Sequence, residues 1–216
     1  MDYITPKKVL GLFAHPDDES FGPGGTLALW AKQGAEIIII CVTDGNHGKI
    51  GTTRVTEMQE AATVLGIKQI IFLEYRDGFI SNHDLLAIEE KFCDYVKTYK
   101  PDTIITFNLN GMSGHLDHIA VASAATQAFR KTRIAKKLYY YTLLKSQSIH
   151  MDDYFIYFPE GEEVEDIDEA IDVSSVWNIR RAAAEKHVSQ KHDMEKFLAI
   201  IGDSDKKEYF KVKSTY

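Results

Sequence analysis

Glu36-Ile37-Ile38-Ile39-Ile40-Cys41-Val42-Thr43 decides the fold class. The run has almost no polar interruption, which fits a strand covered on both faces, as the strands of parallel sheets are. Working outward, strand-like runs alternate with longer amphipathic ones. Upstream, Lys8–Phe13 reads as a strand and Gly25–Gln33 as a short helix carrying Leu27, Leu29 and Trp30. Downstream, Thr53–Leu65 reads as a helix with Val55, Met58, Ala62 and Leu65 on one face and Gly66 as its C-terminal cap. Gln69–Leu73 is a strand and Asp84–Tyr99 a helix, stopped before Pro101. Asp102–Phe107 is a strand, His118–Phe129 a helix and Lys137–Leu143 a strand. This alternation predicts an α/β fold: a Rossmann-like, doubly wound, mainly parallel sheet with helices on both faces. Residues from about Gln147 to Ile171 are acidic and irregular, which suggests an insertion or a lid-like strand pair. Asp172–Gln190 returns to a helical pattern, and a second short helix is expected near Met194–Ile201. With no repeat and no linker, residues 1–216 are read as one domain.

Composition narrows the partners. The chain has 216 residues, a formal net charge of −7 and 44% hydrophobic residues, enough for a continuous core. No Lys/Arg cluster stands out, so nucleic acid and anionic membranes, which need a positive face, are poor partners. No run approaches the roughly 18 apolar residues of a membrane span. Met1 leads into a strand-like segment without the regions of a signal peptide, and Cys41 and Cys93 make no disulfide framework. A cytoplasmic location is the expectation. A homo-oligomer is compatible with the sequence, which does not fix the oligomeric state.

The chemistry gathers in two segments. Ala14-His15-Pro16-Asp17-Asp18-Glu19 follows the first strand, and Gly114-His115-Leu116-Asp117-His118 follows the fourth. Each lies where a strand gives way to a helix, at the carboxyl edge where open α/β sheets bind ligands. Two imidazoles and a carboxylate make a common zinc ligand set that leaves one position open. His15 and Asp18, three apart on a turn, can point at one metal, and His118 can supply a third ligand. Spacing alone does not choose Asp18 over Asp17. The remaining groups suit hydrolysis: a carboxylate that deprotonates water, and a histidine that stabilises an oxyanion or protonates a leaving amine. Taken singly, Asp17-Asp18-Glu19 is an acidic helix start and each histidine a surface group. The joint pattern at two strand ends argues for a metal site.

These motifs, with Gly24-Gly25-Thr26-Leu27 after the first, resemble the LmbE-like, or PIG-L, family of zinc deacetylases. The resemblance runs from about Lys7 to Gln190. It takes in the Thr43-Asp44-Gly45 turn, Arg54 and Glu57, Leu65-Gly66-Ile67, Arg76-Asp77-Gly78, and a His-x-Ser-Gln element at His187-Val188-Ser189-Gln190. It implies zinc on His15, Asp18 and His118, with Asp17 as general base. It implies His115 as oxyanion stabiliser or acid, with Asp117 orienting its ring. It implies removal of the N-acetyl group from an N-acetylglucosamine-type amino sugar conjugate, a small-molecule substrate contacted by Arg54 and Asp77.

Simpler roles exist for the outlying residues. Arg54 could form a surface pair with Glu57, Asp77 could be a turn residue, and His187 could be held by Ser189 or Gln190. The chain also departs from many relatives: Gly45-Asn46-His47-Gly48 lacks a Glu after the turn, and Met112-Ser113-Gly114 lacks a Tyr before His115. Neither departure touches the metal ligands; both bear on substrate identity. Iron(II) or another divalent ion could use the same ligands. Two other functions compete: metal-dependent hydrolysis of a different small amide or ester, and a non-catalytic, zinc-stabilised sugar-binding module. The module would not need Asp17, His115 and Asp117.

Overall fold

A computed structural model describes residues 5–45, 52–149, 157–202 and 206–215. β1 (Lys8–Phe13) lies in parallel between β2 (Glu36–Thr43) and β4 (Thr103–Phe107). β2 carries β3 (Gln69–Tyr75) on its far side, and β4 carries β5 (Lys137–Thr142), all parallel. The chain thus winds one way from β1 and the other way from β4. The crevice where strand order reverses opens between their carboxyl ends, which is where such sheets take ligands. Both motifs follow these two strands.

The sequence identifies the parallel half well. α2 (Gly24–Lys32), α3 (Thr52–Leu65), α4 (Leu85–Tyr99) and α6 (Leu116–Thr132) fall on the predicted helices. Two short helices, α1 (Asp18–Phe21) and α5 (Gly111–Gly114), carry the motif turns. Side chains alternate between two cores, one on each face of the sheet. Val9, Phe13, Ile37 and Ile39 pack on one side, Leu10, Leu12, Ile38 and Ile40 on the other. This two-sided burial is the physical reason for the unbroken apolar run of β2.

The later chain departs from expectation. β6 (Glu169–Asp172) and β7 (Lys207–Ser214) extend the sheet in antiparallel fashion, giving the order β3-β2-β1-β4-β5-β7-β6. The segment read as an insertion holds α7 (Lys145–Ser148), a lone bridge between Leu144 and Glu162, and β6, while residues 150–156 lie outside the described residues. Asp172–Gln190 is no continuous helix either. Asp172 ends β6, α8 (Trp177–Ala184) is short, and a 3-10 turn at Val188–Gln190 leads into α9 (Lys191–Gly202). The edge strand takes only Asp172 of the stretch read as helical, and a 3-10 turn at Ser174–Val176 precedes α8. Among the described residues, no helix is long and apolar enough to cross a membrane.

β7 reaches back to the first motif. Glu208 accepts the N–H groups of Gly25 and Thr26 at 2.8 and 2.7 Å, completing the N-terminus of α2. It also pairs with Arg180 at 3.2 Å, and both side chains are almost fully buried. Arg180 Nη2 donates to the carbonyls of Phe21 and Gly22 at 2.9 and 2.8 Å.

Candidate functional site

The turn after β1 is built to aim side chains. Asp18 Oδ2 accepts the N–H groups of Ala14 and His15 at 2.9 and 2.8 Å, which closes the turn and leaves Oδ1 facing outward. Oδ1 lies 3.1 Å from His118 Nε2. His118 is fixed from behind, with Nδ1 at 3.0 Å from the Gly111 carbonyl, so Nδ1 carries the hydrogen and Nε2 presents a lone pair. His15 Nδ1 stands 3.0 Å from that same Nε2. Its other nitrogen, Nε2, lies 3.1 Å from Asp77 Oδ1 and 3.2 Å from Asp117 Oδ2. Those carboxylates can only accept, so His15 Nε2 carries a hydrogen.

His118 Nε2 therefore has two neighbours at about 3 Å, a nitrogen of His15 on one side and an oxygen of Asp18 on the other. Two bare lone pairs at that distance repel, so whatever lies between them must be positive: a proton or a cation. Ligands held about 2.0–2.1 Å from a tetrahedral zinc ion sit about 3.3 Å apart, close to the spacing here. The donor set thus fits a metal. The electrostatics favour positive charge at this point: burial works against a charged His15, yet bonds to Asp117 and Asp77 overcome it and raise its pKa to about 10, so a metal binding here would displace a proton from the ring. Burial also opposes the Asp18 carboxylate, but His118 and His15 outweigh it and hold its pKa far below the usual range.

Among the described residues, the triplets whose donor atoms all lie within 4.8 Å of one another are His15, His115 and His118, and His15, Asp77 and Asp117; Asp18 joins through His118 and belongs to neither. His115 is a candidate ligand on distance alone, but its ring is committed elsewhere. Its Nδ1 accepts the Asp117 N–H at 3.1 Å, capping α6. The neutral ring then carries its hydrogen on Nε2 and is a donor rather than a ligand. Burial, with the neighbouring charges of His15 and His118, lowers its pKa to about 4 and keeps it neutral.

Asp117 corrects one expectation. Its carboxylate, expected to orient the His115 ring, meets His15 instead and accepts the N–H groups of Gly78 and Ile80 at 2.7 and 3.2 Å. The Asp117 backbone N–H is what meets the His115 ring. Asp77 is likewise only 2% exposed, and its carboxylate packs on His15. Arg54 forms no surface pair with Glu57. It donates to Asp17 Oδ2 at 2.9 Å, to the Pro16 carbonyl at 2.8 Å and to the Gly45 carbonyl at 2.9 Å. Gly45, at φ 73°, makes this possible, because a Cβ there would lie 2.7 Å from Arg54 Nε. Asn46, His47 and Gly48 lie outside the described residues.

Asp17 itself has φ 122° and ψ −25°, an unfavourable backbone for a residue with a side chain, costing about 1–3 kcal/mol. Burial pushes its pKa up to about 6 against the pull of Arg54. His187 is fully buried and pairs with Glu19 at 2.7 Å rather than with Ser189 or Gln190. Sequence reasoning missed the apolar wall. The pocket that holds His15, Asp17, Asp18, Arg54, Asp77, His115 and His118 is closed by Phe21, Phe107, Met112, Phe158 and Phe197, with Gln190 and Asp193 beside them. Phe107, the last residue of β4, was findable as a strand-end residue, and Phe21 and Met112 flank the two motifs; Phe158 and Phe197 come from distant segments with no local signal.

Comparison with known proteins bears on the site. Residues 10–129 match the family model described as PIG-L, GlcNAc-PI de-N-acetylase. A 1D-myo-inositol 2-acetamido-2-deoxy-alpha-D-glucopyranoside deacetylase of Acidothermus cellulolyticus is 31% identical over 166 residues, a match covering 62% of this chain and 57% of that relative's length. Among solved structures, the N,N'-diacetylchitobiose deacetylase of Pyrococcus horikoshii superposes with a TM-score of 0.72 at 18% identity, covering 97% of this chain and 84% of the other. A 4-carboxy-2-hydroxymuconate hydratase of Pseudomonas putida superposes with a TM-score of 0.71, also at 18% identity, covering 97% of each chain. At that identity both structures speak for the fold alone, and the fold hosts more than one reaction.

Proposed function

Because the chain belongs to the PIG-L family, we propose that it is a zinc-dependent hydrolase that removes the N-acetyl group from an N-acetylglucosamine-type amino sugar conjugate, releasing acetate and a free amine. The observation that carries this is the approach of His15 Nδ1 and Asp18 Oδ1 to the one nitrogen His118 Nε2, in the pocket that Asp17 also lines. The names of relatives support the acetamido sugar as substrate class.

His15, Asp18 and His118 would hold the metal, which supplies Lewis acidity toward the acetamide carbonyl and the attacking water. Asp17, with a pKa near 6, is suited to take the proton from water at neutral pH. The His115 Nε2–H donates to the carbonyl oxygen as negative charge develops there. As the C–N bond breaks, the proton that Asp17 took from water passes to the amine nitrogen, which leaves as the free amine. The apolar wall excludes bulk water and offers faces on which a sugar ring can stack.

The test is amine release from a panel of N-acetylglucosamine conjugates by purified, metal-quantified protein. Activity should vanish on chelation and return with zinc, and the chain should stay folded throughout because its two cores do not involve the metal. Active protein that contains no metal refutes the proposal. His115→Ala should lower kcat about a hundred- to a thousandfold with metal content unchanged. Asp77→Asn should weaken zinc affinity about ten- to a hundredfold, because it loosens the partner of a metal-holding histidine; an unchanged affinity in a chelator competition would return Asp77 to the role of substrate contact.

A further inference from the structure

The segment His187-Val188-Ser189-Gln190 takes no part in the reaction above, yet its polar groups lead to both ends of Asp17. The Asp17 N–H donates to Glu19 Oε2 at 3.1 Å. The other oxygen of Glu19 meets His187 Nε2 at 2.7 Å and Ser20 Oγ at 2.6 Å. Glu19 and His187 are both 0% exposed, and His187 Nδ1 has no hydrogen-bond partner. Glu19 is therefore the polar anchor of that ring. Two residues on, the Ser189 N–H and Oγ donate to the two carboxylate oxygens of Glu57 at 2.8 and 2.6 Å. Glu57 lies one helical turn after Arg54 on α3, and Arg54 grips the Asp17 carboxylate at 2.9 Å.

We infer that His187 and Ser189 are positioning residues that brace Asp17 from both sides: His187 through Glu19 at its backbone, Ser189 through Glu57 and α3 at its carboxylate. A backbone as unfavourable as that of Asp17 persists only where its surroundings hold it. A segment that served the fold alone could attach anywhere along α3; this one attaches where its two paths end on a single residue. The inference rests on Asp17 being the general base.

The experiment is a double-mutant cycle on the full-length, zinc-loaded chain, reading kcat, KM and bound metal. His187→Leu removes the donor to Glu19, His187→Gln keeps a side-chain N–H there, and Ser189→Ala alters an exposed site that does not threaten folding. Each is made alone and with Asp17→Asn. A small displacement of a reacting group can cost about a hundredfold in rate. His187→Leu should thus lower kcat about ten- to a hundredfold with KM and metal unchanged, His187→Gln should recover most of that, and Ser189→Ala should lose about threefold. With Asp17→Asn present, each loss should shrink to about twofold or less, because the brace has nothing left to position. Should His187→Leu fail to fold, His187→Gln and Ser189→Ala carry the cycle. Equal losses in both backgrounds, in a chain that does release amine, overturn the brace and leave the proposed function standing. A wild-type chain that releases no amine overturns that function, and the brace with it.

Discussion

Replacing Asp17 by Asn should lower turnover roughly a hundred- to ten-thousandfold while bound metal stays at one per chain. The substitution keeps the volume, and its amide oxygen can still accept from Arg54, which donates to Oδ2 in the native chain. What it removes is basicity, from a carboxylate that burial has already brought to a pKa of about 6. The metal should remain because Asp17 makes none of the close contacts among His15, Asp18 and His118. Turnover by stopped assay and metal by elemental analysis on one preparation decide the matter. Loss of metal in Asp17→Asn would show that the two neighbouring aspartates have their roles reversed.

His118→Ala should abolish both metal and activity, the largest effect expected of any single change. It takes away the nitrogen on which the other two donors converge, leaving two ligands where a stable site needs three. Asp18→Ala should do the same, with an added cost. The Ala14 and His15 N–H groups lose their acceptor, and a buried donor left unpaired costs about 1–3 kcal/mol. Asp18→Asn separates the two effects, since its amide oxygen can still close the turn while the charge is gone. Metal content and thermal midpoint on all three variants give the check. A metal-replete His118→Ala would remove the ligand assignment.

How much of this was legible beforehand follows from what each signal encodes. The unbroken apolar run of β2 and the two motifs after β1 and β4 were enough to bring His15 and His118 together, because adjacent parallel strands present their carboxyl ends side by side. The direction of a carboxylate was not legible. Asp117 turns to His15 because the N–H groups of Gly78 and Ile80, in another loop, hold it there, and no spacing within its own motif encodes that. The partners of Arg54 were not legible for the same reason, since Pro16, Asp17 and Gly45 come from two other loops. β7 escaped notice because Lys207, Lys211 and Lys213 break its apolar pattern, and its pairing beside β5 is antiparallel.

The bond from Glu208 to the start of α2 sets an order of events for a chain emerging from the ribosome. His15, Asp17 and Asp18 are synthesised early, yet the acceptor that completes Gly25 and Thr26 lies 183 and 182 residues downstream. Contacts of such long range close late, because loop-closure entropy opposes them until the intervening chain has folded. Arg180, which fixes the Phe21 and Gly22 carbonyls, arrives almost as late and is itself held by Glu208. The turn from His15 to Asp18 is therefore among the first parts made and among the last to set. Until β7 docks, the nascent protein carries its histidines and aspartates on an unfinished turn, and a stalled or clipped product lacking that strand would be a poor trap for zinc.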